Sequence, residues 1–114
     1  MCIRDRSRKV KDLTEFLVSI DFKKPSRPFN KRVAYHDACH LAHAQRITAE
    51  PRIILQAIPG IDLVDLPEAS WCCGSAGIYN VVHYEDSMQL LSRKMKNVES
   101  VSYTHLTLPT IYSV

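Results

Sequence analysis

Cys72 and Cys73 are adjacent in the run Trp71-Cys72-Cys73-Gly74-Ser75-Ala76-Gly77, and Cys39 stands in an earlier run, Tyr35-His36-Asp37-Ala38-Cys39-His40. Neighbouring cysteines rarely bond to each other, because a disulfide wants two Cβ atoms facing across about 4 Å. Structural zinc sites usually separate paired ligands by a short spacer. Two thiolates at one point suit a centre larger than a single ion, in which each sulfur reaches a different iron. Thiolates also select zinc, copper(I) and iron–sulfur clusters over hard cations. Cys39, Cys72 and Cys73 are therefore the candidate ligands of an iron–sulfur cluster, and a zinc-stabilised interaction module is the alternative of a different class.

The neighbours of these cysteines carry further expectations. Gly74 and Gly77 let the backbone approach a cluster and adopt positive φ, and N–H groups around Ser75 can donate to cluster sulfurs. His36 and His40, with His43, are candidates either to contact the cofactor or to order the loop by hydrogen bonds. Asp37 is expected to cap the turn after a strand. Trp71 is expected to shield the site from water or to pack in the core, and Tyr79 and Tyr84 are expected to pack. Ser75 lacks the Gly-x-Ser-x-Gly spacing of a hydrolase nucleophile. The absence of Cys-x-x-Cys argues against a thiol–disulfide exchanger.

The elements that must position these residues follow from periodicity. Ser7–Ile20 reads as one amphipathic helix, with Val10, Leu13, Leu17 and Ile20 at helical spacing and Ser7 as its cap. Asp21–Asn30 is a linker containing Pro25 and Pro28. Lys31–Asp37 reads as a strand that runs directly into the first cysteine segment. Pro51 suits the first turn of a helix that stops at Pro59-Gly60. Ile61–Leu66 is a second strand, ended by Pro67. Tyr84–Val98 is a strong helix whose Met88, Leu91, Met95 and Val98 share one face, expected to be core. The alternation predicts an α/β, Rossmann-like layer of short parallel strands flanked by helices, forming part of a larger domain. In such sheets the binding residues gather beyond the carboxyl ends of the strands, so both cysteine runs should meet at one edge.

Composition excludes some function classes. The formal net charge is +3, and the basic residues between Arg8 and Arg32 lack the interleaved aromatics of a single-strand binder, so no nucleic-acid partner is expected. No apolar run approaches the roughly 20 residues that cross a bilayer, and no secretory leader is apparent. The cysteine usage favours a reducing, cytoplasmic compartment. The two ends have a peculiarity of their own. Met1–Arg6 can be encoded by ATG TGT ATA AGA GAC AG plus one base, and Val101–His105 by GTC TCT TAT ACA CAT. Preceded by CT, which a Ser100 codon supplies, the second string is the reverse complement of the first. It resembles the end of a transposase adapter used to build sequencing libraries. Residues 1–6 and 101–114 are therefore expected to be adapter-derived, leaving 7–100 as a partial domain.

Val33-Ala34-Tyr35-His36-Asp37-Ala38-Cys39-His40, followed by Cys72-Cys73-Gly74-Ser75-Ala76-Gly77, resembles the cysteine-rich CCG domain. That domain occurs twice in heterodisulfide reductase B-type subunits and in the iron–sulfur subunit of glycolate oxidase. The wider wording, His43-Ala44-Gln45 and Gly77-Ile78-Tyr79 with Lys94-Met95, is most similar to the C-terminal copy in the glycolate oxidase subunit. The resemblance implies a 4Fe–4S cluster held by Cys39, Cys72 and Cys73, in a subunit that passes electrons from an FAD-bearing flavoprotein partner to a quinone or another acceptor. It further implies a place at the surface of the inner membrane, and a 2-hydroxy acid substrate oxidised on the partner chain. Lactate-utilisation and heterodisulfide-reductase-type subunits are the related alternatives. The family's closing cysteine has no counterpart here, since no cysteine follows Cys73.

Overall fold

The computed structural model describes residues 2–75 and 77–101, together with the backbone of 105–107. The chain begins with two short helices, α1 (Ile3–Lys9) and α2 (Leu13–Ser19), rather than the single expected one. The break has a local cause. Asp12 is extended, and its carboxylate accepts the Thr14 N–H at 2.9 Å, so it caps a new helix instead of continuing the old one. Ser7 lies inside α1, where its hydroxyl donates to the Arg4 carbonyl.

After the linker, β1 (Lys31–Tyr35) enters the interior and leads into a π-helical turn, His40–Gln45. Helix α3 (Ala49–Gln56) follows, with Pro51 in its first turn as expected. Gly60, at φ +81°, lies against Asn30, so an added Cβ would strike that side chain. Strand β2 (Ile61–Val64) then runs parallel to β1, with Val33 opposite Leu63 and Ala34 opposite Val64. A parallel pair needs a crossover, and α3 provides it. A long loop carries the cysteine pair to α4 (Tyr79–Val82) and α5 (Tyr84–Ser100).

Strand β3 (His105–Thr107) pairs parallel to β1 on its other side, giving the order β2-β1-β3. It lies in the stretch expected from its codons to be adapter-derived. An open strand edge offers backbone groups that almost any extended segment can satisfy. The architecture is the expected α/β layer of parallel strands and helices.

The core is small and divided. Ala34, Leu66 and Val98 form one buried cluster between sheet and α5, and Ala38, Leu41 and Ile47 form another beneath the first cysteine segment. The methionine stripe expected in the core lies at the surface, with Met88 43% and Met95 36% exposed. The buried face of α5 is turned toward Ser87, Lys94 and Val98. Tyr84 is likewise exposed, and Tyr79 meets only the His83 ring among the described aromatics, at 5.1 Å between centroids. Among the described residues, no helix is long and apolar enough to cross a membrane.

Candidate metal centre

Both cysteine runs leave the carboxyl ends of β1 and β2, and the fold sews them together at one atom. The Ala69 carbonyl accepts the Asp37 backbone N–H at 3.1 Å, the His36 ring at 2.8 Å and the Lys94 ammonium at 3.0 Å. A carbonyl only accepts, so Nδ1 of His36 carries the proton and Nε2 keeps its lone pair. Burial holds His36 below its ordinary pKa, and the nearby Lys94 charge acts in the same direction. His36 is thus a buried tie between the two runs, which is a loop-ordering role.

Asp37 does not cap a turn. Its two carboxylate oxygens receive the two guanidinium nitrogens of Arg52 at 2.7 and 2.9 Å, and the same guanidinium lies 4.9 Å from the centre of the Tyr35 ring. This fork fixes the start of the first cysteine run onto α3. Cys39 then stands at the start of the π-helical turn without a side-chain capping bond, and Arg46 closes the turn in the left-handed conformation at φ +59°. The wide turn leaves Cys39 exposed while Leu41 is buried beneath it.

The second run is held from α5. Gly74 is buried at φ +80°, and a Cβ there would come within 2.7 Å of the Ser87 carbonyl. The Ser87 hydroxyl donates to the Gly74 carbonyl at 2.6 Å. The Gly74 N–H points to the Cys72 sulfur at 3.3 Å, and Ser75 Oγ lies 3.1 Å from the Cys73 sulfur. Gly77 also has positive φ, +54°, with open space where a Cβ would stand. The two glycines therefore have separate reasons. One permits close approach of α5, and the other permits a turn.

Cys39 and Cys72 line one open cavity of about 420 Å³, with His43, Glu68, Ser70 and Trp71. Cys73, which follows Cys72 in the chain, is half-buried and is not among the residues that line it. His43 Nε2 lies 3.4 Å from the Ser70 carbonyl across the two runs. Trp71 walls the cavity beneath the Arg93 guanidinium, which sits 3.9 Å from the ring centre and pairs with Glu68. Two buried polar atoms have no partner among the described residues, His40 Nε2 and Trp71 Nε1. Such orphans are uncommon in a finished interior, and they flank the two cysteine runs.

This donor set fits a soft, anionic polynuclear centre. It offers thiol sulfurs together with backbone and indole N–H groups. Among the described residues no three Cys, His, Asp or Glu side chains, Cys39, Cys72 and Cys73 included, gather closely enough to hold a single metal ion. Four converging ligands are what a structural zinc requires.

Ser87, Arg52 and the Ala69 carbonyl escaped the sequence reading, and Lys94 entered it only in the wording Lys94-Met95, with no role given. Lys94 carried a signal, since it falls three residues after Leu91 and four before Val98, inside the apolar stripe.

The chain is similar to the probable glycolate oxidase iron-sulfur subunit of Bacillus subtilis, 39% identical over 95 residues, covering 82% of this chain and 21% of that protein. It is 44% identical over 68 residues to a subunit of the fumarate reductase (CoM/CoB) of Methanothermobacter marburgensis, covering 60% of this chain and 14% of that one. Lactate utilization protein A of Oceanobacillus iheyensis is 30% identical over 103 residues, 90% of this chain and 42% of its own length. The chain therefore spans less than half of each of these relatives. No solved structure gives a significant match. The model of the cysteine-rich domain named CCG matches residues 33–110, and with both cysteine runs gathered at the strand tips, the chain belongs to the CCG family.

Proposed function

We propose that this chain is part of the iron–sulfur electron-transfer subunit of an oxidoreductase complex that acts on glycolate or a related 2-hydroxy acid. Cys39, Cys72 and Cys73 would supply three ligands of a 4Fe–4S cluster, and a bound cluster would supply one-electron acceptance and release at that point. The observation that carries this reading is the shared cavity of Cys39 and Cys72 beyond the strand tips. The names of the relatives support it, being those of iron–sulfur and oxidoreductase subunits. The chain's own residues would do the holding. His36 ties the two runs together, Lys94 ties the second run to α5, the Gly74 N–H donates toward sulfur, and Trp71 limits water.

In this reading the substrate is oxidised on an FAD-bearing flavoprotein partner, since hydride chemistry belongs to the flavin. Electrons leave toward a quinone or another acceptor, from a cytoplasmic position at the inner-membrane surface. Residues 7–100 would be the native portion, with 1–6 and 101–114 derived from an adapter. The uninterrupted reading frame tests that division, and a closing cysteine downstream of Ser100 is its expected outcome.

The direct test is anaerobic reconstitution with iron and sulfide. Bound iron, labile sulfide and a brown chromophore are expected, and Cys72→Ser should abolish them. Bound zinc with no visible absorption would replace this proposal with an interaction module.

A further inference from the structure

Glu68 stands in the left-handed region at φ +52°, where a residue with a Cβ is uncommon and glycine sits without strain. Its carboxylate is fully engaged. One oxygen receives Nε of Arg93 at 3.0 Å and Nδ2 of Asn97 at 2.7 Å, and the other receives a second guanidinium nitrogen of Arg93. These groups lie at the surface, where an ion pair adds little to folding. The fork does place the guanidinium 3.9 Å from the centre of the Trp71 ring. The Glu68 carbonyl in turn accepts the Trp71 backbone N–H at 2.8 Å. Glu68, Arg93 and Trp71 thus form a closed circuit, which holds Trp71 by its backbone and by its ring.

The indole carries a cost of its own. Its Nε1 is cut off from water and has no partner among the described residues, and an unpaired buried N–H is unfavourable. The residue is only half-buried, so a ring free to turn would hydrate that group. Its orientation is therefore imposed, and Arg93 is the group stacked on it. Glu68 and Trp71 both line the cavity of Cys39 and Cys72, and Cys72 directly follows Trp71.

We infer that Arg93 is a positioning residue: forked by Glu68, its guanidinium clamps the Trp71 indole as a fixed wall of the thiol cavity beside Cys72. Its bearing on electron transfer rests on the proposal that this cavity seats an iron–sulfur cluster. The clamp itself needs no metal. It does need a planar cation, because a guanidinium can meet two carboxylate oxygens and an aromatic face at once, whereas an ammonium is a point charge. One cause then accounts for a left-handed glutamate, a surface fork that adds little to stability and an indole held with its N–H unpaired.

The test reads Trp71 directly, since it is the sole tryptophan of the chain. The metal-free wild type is compared with Arg93→Lys, Arg93→Met and Glu68→Gln. Acrylamide quenching and the nanosecond part of the fluorescence anisotropy report the freedom of the indole. Labelling of Cys72 by N-ethylmaleimide, relative to the exposed Cys2 and read by peptide mass spectrometry, reports the cavity. The quenching constant should rise about threefold in both Arg93 variants, the shift that loss of an exposed cation–π contact allows. Fast local motion of the ring should grow with it, and Cys72 labelling should change in parallel. Glu68→Gln should move each readout the same way, but less. Arg93→Lys keeps the charge, so a change in its Cys72 labelling reports access rather than thiol ionisation. Unchanged indole readouts in the Arg93 variants overturn the inference. So does an Arg93→Lys chain that matches the wild type, because charge alone would then suffice. A loosened indole with unaltered Cys72 labelling overturns it too, as does unfolding of both Arg93 variants, which would make Arg93 a structural tie. Iron and sulfide uptake is measured separately in the wild type. Failure there, with the Arg93 signature intact, would defeat the cluster reading while the clamp stands.

Discussion

The two cysteine-bearing segments are secured in opposite ways. The first, from His36 to Ile47, contains its own apolar cluster of Ala38, Leu41 and Ile47, and its Asp37 is chelated by Arg52 from the adjoining helix. The second, from Asp65 to Ile78, buries only Leu66 among the larger side chains of its described residues and relies on groups sent from elsewhere. Lys94 and Ser87 reach it from α5, and His36 reaches it from the first segment. One loop is therefore stabilised by local packing. The other takes its shape from how α5 is seated. The position of the cysteine pair relative to Cys39 follows from a helix that begins ten residues later and more, not from the residues around the pair.

The most severe way to break that dependence is Gly74→Ala. The new Cβ meets Ser87 at a position of φ +80°, so strain and overpacking together should cost about 3 kcal/mol. Urea unfolding should show this as a lower midpoint. Disturbing the self-secured loop should cost less. Asp37→Asn removes one side of a bidentate pair whose carboxylate is 9% exposed, and a loss of about 1–2 kcal/mol is expected in the same assay.

The tie between the two loops has a pH signature. His36 is held below its ordinary value of 6.5, first by burial and then by Lys94. The fold prefers the neutral ring, so its full contribution is present above 6.5. It is lost as pH falls from there through the depressed folded value, because the unfolded chain takes up the proton first. The unfolding midpoint should decline over that window, and His36→Gln should flatten the decline. Glu68→Gln gives the smallest effect. Glu68 pairs with Arg93 and Asn97 at the surface, where ion pairs contribute little. No measurable change in the melting temperature is expected, and a large drop would show that the rim of the second loop secures itself after all.

The parts of this molecule that obey local rules could be read directly. Val33, Ala34 and Tyr35 make a buried strand in any such α/β layer, and Pro51 marks the start of a helix by its missing N–H. The break before α2 also left a trace, since Asp12 is followed three residues later by Glu15, close to a capping-box pattern. The longer periodic stripe concealed it. Met88 and Met95 misled because helical spacing shows which residues share a face, but not which face the sheet covers. The cover of α5 centres instead on Lys94 and Val98.

Cysteine chemistry, parallel strands and the meeting of both cysteine runs at one sheet edge were determined by the sequence alone, because thiol identity, hydrophobic period and strand direction are local or topological properties. The convergence of His36, Asp37 and Lys94 on the Ala69 carbonyl was decided only by tertiary structure. So were the orphaned Nε atoms of His40 and Trp71, and the burial of the Lys94 ammonium against two loop carbonyls. Each depends on groups more than twenty residues apart, or on a side chain's solvent access, and neither quantity exists until the layers have packed.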